Sequence, residues 1–228
     1  MVAGAGWLIE EFKEIDSTQD ELRRRLGSGQ DVHRLVIRAG VQTRGRGQRS
    51  RDWASVSGGS YQSAALKGPA LPASSLFIAL GVARQLNAAL PLQPLLLKWP
   101  NDIRLKSGAK VAGVLCEYSR GHLLVGVGVN VANEPPAGAA AVPGLGLDDV
   151  NRLVLSGIEA GWRLMQDSPE ELPAAYARLD SLHGQLLRFE RGGRIMEGTA
   201  AGITAAGQLR LVGPEGETVV DSALALSP

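Results

Sequence analysis

Gln42–Trp53 reads Q-T-R-G-R-G-Q-R-S-R-D-W, and from Arg34 to Arg51 there are six arginines and no acid. Gly45 and Gly47 carry no Cβ, so backbone N–H groups there can approach a ligand closely. The arginines between and beyond them, Arg46, Arg49 and Arg51, are forks suited to phosphate or carboxylate oxygens. The spacing is neither a Walker loop nor a Rossmann G-x-G-x-x-G. A solvated basic loop is an equal reading of composition alone. Four further segments carry polar residues at strand or helix ends. In Leu97–Asp102, L-K-W-P-N-D, Pro100 ends a strand and sets Asn101 and Asp102 just beyond it. Asp102 there can hold Mg²⁺ on a nucleotide, or be part of an ordinary Asn-Asp turn. Lys110 opens K-V-A-G-V-L-C-E, and its ammonium either faces a site or snorkels at a strand edge. Gly126–Val131, G-V-G-V-N-V, makes a strand with one bare face, covered by a ligand or by a helix such as 76–90. Asp16–Asp20, D-S-T-Q-D, is a helix cap that can also take a polar ligand group.

Taken as chemistry, these are cations and N–H donors, with no plausible proton-shuttling pair. His33, His122 and His183 lie far apart, and the single cysteine, Cys116, has no partner for a disulfide or a zinc site. Cys116 is most simply a small core residue. The net charge of +1 provides no global field toward nucleic acid or membrane. The N-terminal segment lacks the basic-then-apolar pattern of a secretion signal, and the apolar runs are too short to span a bilayer. A cytoplasmic globular protein is the expectation. At 228 residues roughly 70% of the unfolded surface can be buried, enough for a core without staples.

The elements that must hold these residues follow from periodicity. Ser17 and Thr18 cap a helix through Q-D-E-L-R-R-R-L, stopped at Gly27 and Gly29. Short strands are expected at 35–37, 60–66 and 95–99. A helix should run from Ser74 to Leu90, where Pro91 closes it. Residues 111–117 and 123–131 form a hairpin across Ser119–Gly121. Residues 133–146 read as a surface loop. The apolar stripe Val150, Leu153, Val154, Ile158, Trp162, Met165 predicts a helix, and Pro169 opens another ending near Leu182. From Gly184 onward, short β-like runs alternate with glycine turns, a small all-β module. The division is 1–182 for the main domain and 183–228 for the module.

Singly weak, these motifs in this order resemble the biotin–protein ligase family. The order is S-T-Q, Q-x-x-G-R-G-x-x-x-R-x-W, G-G-x-Y-x-S, K-W-P-N-D, K-x-A-G-x-L-x-E and G-x-G-x-N-V, then the β-module. The resemblance implies an α+β catalytic domain, a mixed sheet with flanking helices, followed by a small SH3-like barrel. It implies that biotin and ATP, with Mg²⁺, become biotinyl-5′-adenylate. A lysine on the carrier domain of a biotin-dependent carboxylase, such as acetyl-CoA carboxylase, then takes the biotin. Two anions must meet in the first step, so fixed cations and donors should dominate its catalysis.

Position by position, the resemblance assigns Ser17, Thr18, Gln19 and Gln42 to biotin. Gly45, Arg46, Gly47 and Gln48 go to the loop around its carboxylate and the adenylate phosphate. Arg49, Arg51, Trp53, Lys98, Asn101, Asp102 and Asn130 belong to the nucleotide side, with Asp102 toward the metal. Lys110 bridges carboxylate and α-phosphate, close to Gly113, and the chemistry rests chiefly on Lys110 and Arg46.

This chain departs from the pattern in four places. Gln48 stands where many members carry an arginine, Ser50 where they carry a glycine, Ser60 where an apolar residue is usual, and Gln19 where asparagine is common. A neutral Gln48 should hold the adenylate less firmly than an arginine, and Tyr61 is left as the wall candidate beside Ser60. No space remains within the sequence for the helix-turn-helix of bifunctional members, so no operator binding is expected. A homodimer is compatible with such a chain. The loop 40–53 should order around its ligands. The competing readings are a lipoyl or octanoyl transferase on the same fold, a nucleic-acid binder using the arginine loop, and a biotin-binding module without turnover.

Overall fold

A computed structural model describes residues 6–48, 51–191, 194–221 and 226–227. Arg49, Ser50, Gly192 and Gly193 lie outside them. Strand β1 (Leu8–Ile15) leads into helix α1 (Thr18–Gly27), then β2 (Leu35–Gln42) and β3 (Ser60–Lys67). Helix α2 (Ser74–Ala89) precedes β4 (Leu96–Lys98), β5 (Asp102–Arg104), β6 (Lys110–Ser119) and β7 (His122–Val129). Helix α3 (Leu147–Asp167), a short 3₁₀ turn at Pro169–Glu171 and α4 (Leu172–Ala177) follow. The chain ends in β8 (Leu186–Arg191), β9 (Arg194–Ile203), β10 (Leu209–Gly213), β11 (Gly216–Val220) and β12 (Leu226–Ser227).

The first seven strands form one mixed sheet in the order β1-β2-β3-β7-β6-β5-β4, and the last five form an antiparallel sheet, β11-β10-β9-β8-β12. Only β1 and β2 pair in parallel within the large sheet, as a β-α-β crossover through α1 requires. The α+β expectation holds, with a small β-module at the C-terminus.

Helix α1 covers one face over β1–β3, burying Leu22 and Leu26 against Ile37, Ala65 and Leu124. Helices α2 and α3 cover the opposite face along its length, with Phe77, Leu80, Val154 and Ile158 in the main core. These two helices touch backbone to backbone. A Cβ on Gly81 would lie 2.2 Å from the Gly157 carbonyl, and one on Gly161 2.4 Å from that of Phe77. The same core continues into the C-terminal sheet through Leu187, Phe189, Leu209 and Leu211. The Trp99 indole N–H also donates to the Gly207 carbonyl at 2.8 Å.

Because α1 is only ten residues long, it covers only part of β3 and β7 and leaves the rest of that face, toward β6 and β5, uncovered. That bare area is the floor of the site.

Several elements differ from expectation. Strand β1 was not foreseen, because L-I-E-E-F-K-E-I breaks alternation with charges; it is an edge strand, where charge is tolerated. Asp102 opens strand β5 rather than closing a turn. Helix α4 stops at Ala177, short of Leu182. The β6–β7 hairpin turns at Arg120 and Gly121, both at positive φ (47° and 76°), the geometry that matches strand twist.

Candidate active site

The floor of the cleft is made by glycines facing each other across the sheet. Gly113 of β6 pairs with Gly128 of β7, and Leu115 pairs with Gly126. The bare face left by Gly126 and Gly128 is not filled by α2. It receives the Trp53 indole, from which a Cβ on Gly128 would stand 2.5 Å and one on Gly113 2.9 Å. Beside it, the Gln19 amide oxygen lies 2.9 Å from where a Cβ on Gly126 would be. The cleft, about 700 Å³ and open to solvent, is lined from above by the 42–53 loop and at one end by the start of α1.

That end is neutral and tightly hydrogen-bonded. Ser17 caps α1 through the Asp20 N–H at 3.3 Å. The Thr18 N–H and hydroxyl both donate to the Gln42 amide oxygen, at 2.8 and 3.0 Å. The Thr18 hydroxyl also meets that of Ser63 at 2.8 Å. The Gln42 Nε2 donates to Ser55 at 2.8 Å. Gln19 is buried and donates to Glu117 and to the Leu124 carbonyl at 3.0 and 3.2 Å. Its Oε1 is buried with no partner among the described residues. An orphaned acceptor aimed at bare floor is a place for a ligand N–H.

The loop is a pinned hairpin. Gly47 N–H donates to Arg51 and Trp53 N–H to Gly45, at 2.8 and 2.9 Å. Gly45 itself backs the loop against Trp53 and Ser55, where a Cβ would meet their oxygens at about 2.4–2.5 Å; it is not a lining residue. Arg46 reaches across the cleft to Asp20 (2.9 Å) and Glu117 Oε1 (3.0 Å), and Arg23 holds the same Glu117 oxygen at 2.6 Å. Gln48, Arg51 and Gly47 line the opening.

Lys110 owes its position to a bulge. On a regular strand it would face away from Gly113, three residues on. The β5–β6 register slips between Ile103 and Arg104, so that Arg104 pairs with Lys110 and Ile103 with Ala112. Val111 thereby turns into the core and Lys110 into the cleft. Its Nζ stands 2.6 Å from Asp102 Oδ1 and 5.1 Å from the centre of the Trp53 ring, an ion pair with a cation–π contact.

Two expected nucleotide residues are placed otherwise. Asn130 is buried and does not line the cleft; its Oδ1 accepts from Asn133 at 3.0 Å. The Asn101 amide reaches the cleft wall, yet its Nδ2 donates to the Val114 carbonyl at 2.7 Å, locking β5 to β6. Lys98 lies just beyond the lining, on the strand that pairs with Asp102. Burial holds its ammonium below the usual lysine range, with Arg104 adding to the effect. Tyr61 pairs with Gly128 on the cleft face but is buried beside the floor rather than lining the cleft, its hydroxyl donating to the Val56 carbonyl and pushed up to about 12 by burial. Cys116 packs at the core edge, its thiol also raised to about 12.

The model of the biotin/lipoate A/B protein ligase family matches residues 11–132, more than half of the chain and all of the cleft. A biotin–[acetyl-CoA-carboxylase] ligase of Mycobacterium tuberculosis is 33% identical across 97% of this chain and 89% of its own length. The chain belongs to the biotin/lipoate A/B protein ligase family. Another such ligase, from Paracoccus denitrificans, is 34% identical over 91% of this chain and 95% of its own. Among solved structures, a biotin protein ligase from Aquifex aeolicus in complex with biotin and ATP superposes with a TM-score of 0.83 at 27% identity. It covers 96% of this chain and 98% of that one.

For a member of this ligase family, the cleft uses residues to which the sequence alone assigns no role, although Ser63, Leu115 and Glu117 stand at fixed positions of its motifs. Ser63, Leu115 and Asp52 line it, and Asp20 and Glu117 hold Arg46. Alternation offers a signal for Glu117: it lies two residues beyond Leu115 and four beyond Gly113, on the same face. Ser63 closes the G-G-x-Y-x-S motif, but its place in the cleft comes from pairing with Gly126.

Proposed function

We propose that this cleft joins biotin to the α-phosphate of ATP and passes the biotinyl group to a lysine on the carrier domain of acetyl-CoA carboxylase. One observation carries the reading. A neutral end with a spare buried acceptor and a cationic end share one cleft with a bare glycine floor. The ureido ring of biotin offers N–H groups and a carbonyl to Thr18, Gln19, Gln42 and Ser63, and its carboxylate points along the floor toward Lys110. A lipoyl ring has no such donors and would leave the Gln19 acceptor unsatisfied, at a cost of about 1–3 kcal/mol. That favours biotin over a lipoyl or octanoyl substrate.

In the first step a carboxylate oxygen of biotin forms a bond to the α-phosphorus. The bond from that phosphorus to the bridging oxygen breaks, and pyrophosphate leaves with the electron pair. No proton has to move. Lys110 neutralises the meeting of carboxylate and phosphate, and Arg46, released from Asp20 and Glu117, joins it. Gly47, Gln48 and Arg51 close the loop over the adenylate, with Trp53 and Asn101 on its nucleotide side. In the second step the carrier lysine, as free amine, attacks the acyl carbon and AMP departs.

Asp102 suits Mg²⁺ as a single carboxylate whose remaining ligands are phosphates and water. Among the described residues no group of three or more acidic, histidine or cysteine side chains forms a protein cage. One carboxylate oxygen stays free while the other holds Lys110.

The rest of the reading is a catalytic unit at 1–182 with a β-module at 183–228, and a cytoplasmic enzyme supported by its use of ATP. A homodimer through the β1 edge is supported by that strand's open side. The near-zero net charge supports the absence of nucleic-acid partners. The deciding experiment is mass spectrometry of a carrier domain incubated with this protein, biotin, Mg²⁺ and ATP. Mass gain of one biotinyl group on a lysine supports it; gain only with lipoate and ATP, or none, refutes it.

A further inference from the structure

Beyond the cleft lining, three short strands carry charge on one face. Leu97 and Ile103 point into the core, so alternation puts Lys98, Asp102 and Arg104 on the opposite face. Lys98 pairs in register with Asp102, and Arg104 with Lys110. Asp102 is the only acid of this set and Lys110 already holds it at 2.6 Å. Lys98 and Arg104 are half-buried, and among the described residues neither has a hydrogen bond or ion pair. The Arg104 Nε is buried without an acceptor. Most other arginines near the cleft behave differently: Arg23, Arg24, Arg25, Arg38 and Arg46 each hold a carboxylate.

Half-burying two cations side by side, with only the Asp102 carboxylate near them among the described residues and that one already held by Lys110, is costly, and burial accordingly depresses both groups. An anion arriving there would remove the cost. The position identifies it. Lys110 marks the α-phosphate, and Arg104 lies about 7 Å along the sheet from the level of Asp102, two residues on. A ligand reaching from one to the other is a triphosphate rather than a single phosphate.

We propose that Arg104, together with Lys98, cradles the β- and γ-phosphates of ATP and holds pyrophosphate as it leaves. This rests on the biotin-activating reading and adds to it a residue outside the K-W-P-N-D motif. As the bond between the α-phosphorus and the bridging oxygen breaks, the new negative charge develops on the pyrophosphate, facing these two cations. Arg104 therefore acts on the first half-reaction alone; the transfer of biotin from adenylate to lysine involves no pyrophosphate.

The test uses Arg104→Met, which keeps the buried stem, and Arg104→Lys, which keeps the charge, in the full chain. The expected result is a KM for ATP and an inhibition constant for inorganic pyrophosphate both raised about tenfold to a hundredfold in Arg104→Met, the loss of one charge-assisted hydrogen bond. The KM for biotin stays within twofold, transfer from supplied biotinyl-5′-adenylate keeps its rate, and Arg104→Lys recovers part of the loss. Pyrophosphate inhibition within twofold of wild type, or a biotin KM that rises as far as that for ATP, overturns the assignment. If the wild type forms no biotinyl adenylate, the functional reading fails by itself. Calorimetric titration with inorganic pyrophosphate still decides the site: binding lost in Arg104→Met supports it, and equal binding by both proteins overturns it.

Discussion

Replacing Lys110 by alanine removes the ammonium that sits 2.6 Å from Asp102 and over the Trp53 ring. A phosphate oxygen about 4 Å from that ammonium gains on the order of 4 kcal/mol at an effective dielectric of about 20. At about 1.4 kcal/mol per factor of ten, this bounds the effect near a thousandfold. Removal of one fixed donor from a site of developing charge commonly costs about 10²–10³ in kcat, so a loss within that span is expected for adenylate formation. The structure adds a second consequence. Without Lys110, Asp102 keeps only the weaker attraction of Lys98 and Arg104 and faces the phosphates as an anion, so part of the loss is repulsion. Lys110→Ala with Asp102→Asn should therefore be faster than Lys110→Ala alone, even though Asp102→Asn by itself slows the reaction. The assay is single-turnover formation of biotinyl-5′-adenylate from biotin and ATP, with thermal midpoints to show intact folding. An undiminished rate in Lys110→Ala refutes the idea that fixed charge, rather than proton transfer, drives the step.

Gly128→Ala puts a methyl 2.5 Å from the indole while adding a residue better suited to a strand. The ring should leave the floor, giving a red-shifted tryptophan emission and at least tenfold weaker adenylate binding, with the melting temperature little changed; an unshifted spectrum contradicts the packing described. Gln48→Arg should slow adenylate release several-fold in a chase experiment, since a charged hydrogen bond replaces a neutral one; release at the old rate or faster argues against that role. The lowered lysine at 98 loses its proton as pH rises through a range below that of ordinary lysines. Hence kcat/KM for ATP should fall on the alkaline side in wild type, and Lys98→Arg should move that fall upward; identical profiles count against it. Burial raises the Asp180 carboxyl and leaves its Oδ2 without a partner. The ionised form is thus a cost present above the folded-state value and absent below the unfolded one. Asp180→Asn should raise denaturant stability at pH 7, with the gain shrinking in acid. A gain that grows in acid reverses the sign.

Local chemistry made much of the site legible. Ser17 followed by an amphipathic run demands a capped helix, and glycines among arginines demand a close-approach anion loop. Pro100 sets the start of a new segment, and the alternation of Gly126 and Gly128 demands something flat on a strand face. Each of these follows from backbone geometry within a few residues; the ligand class and the role of Lys110 come from the resemblance that the motif order carries. Pairing in space was another matter. The cover on the bare strand is Trp53, some seventy residues away in sequence, rather than the nearest apolar helix. Asn130 looks like a ligand residue, but its amide is held by Asn133 under the sheet. Arg46 looks free, but Asp20 and Glu117 come from two other elements to hold it. Strand β1 is too charged to announce itself and is held by its parallel partner, by Ile9 and Phe12 packing on the core and by the Glu10–Arg25 ion pair. Lys110 shares a face with Gly113 because one bulge reverses the alternation between them. Residue type and short-range spacing decide which groups are available, since they act through local backbone preference. Register, bulges and the length of α1 decide which groups meet, because these depend on pairings across the sheet that no single segment contains.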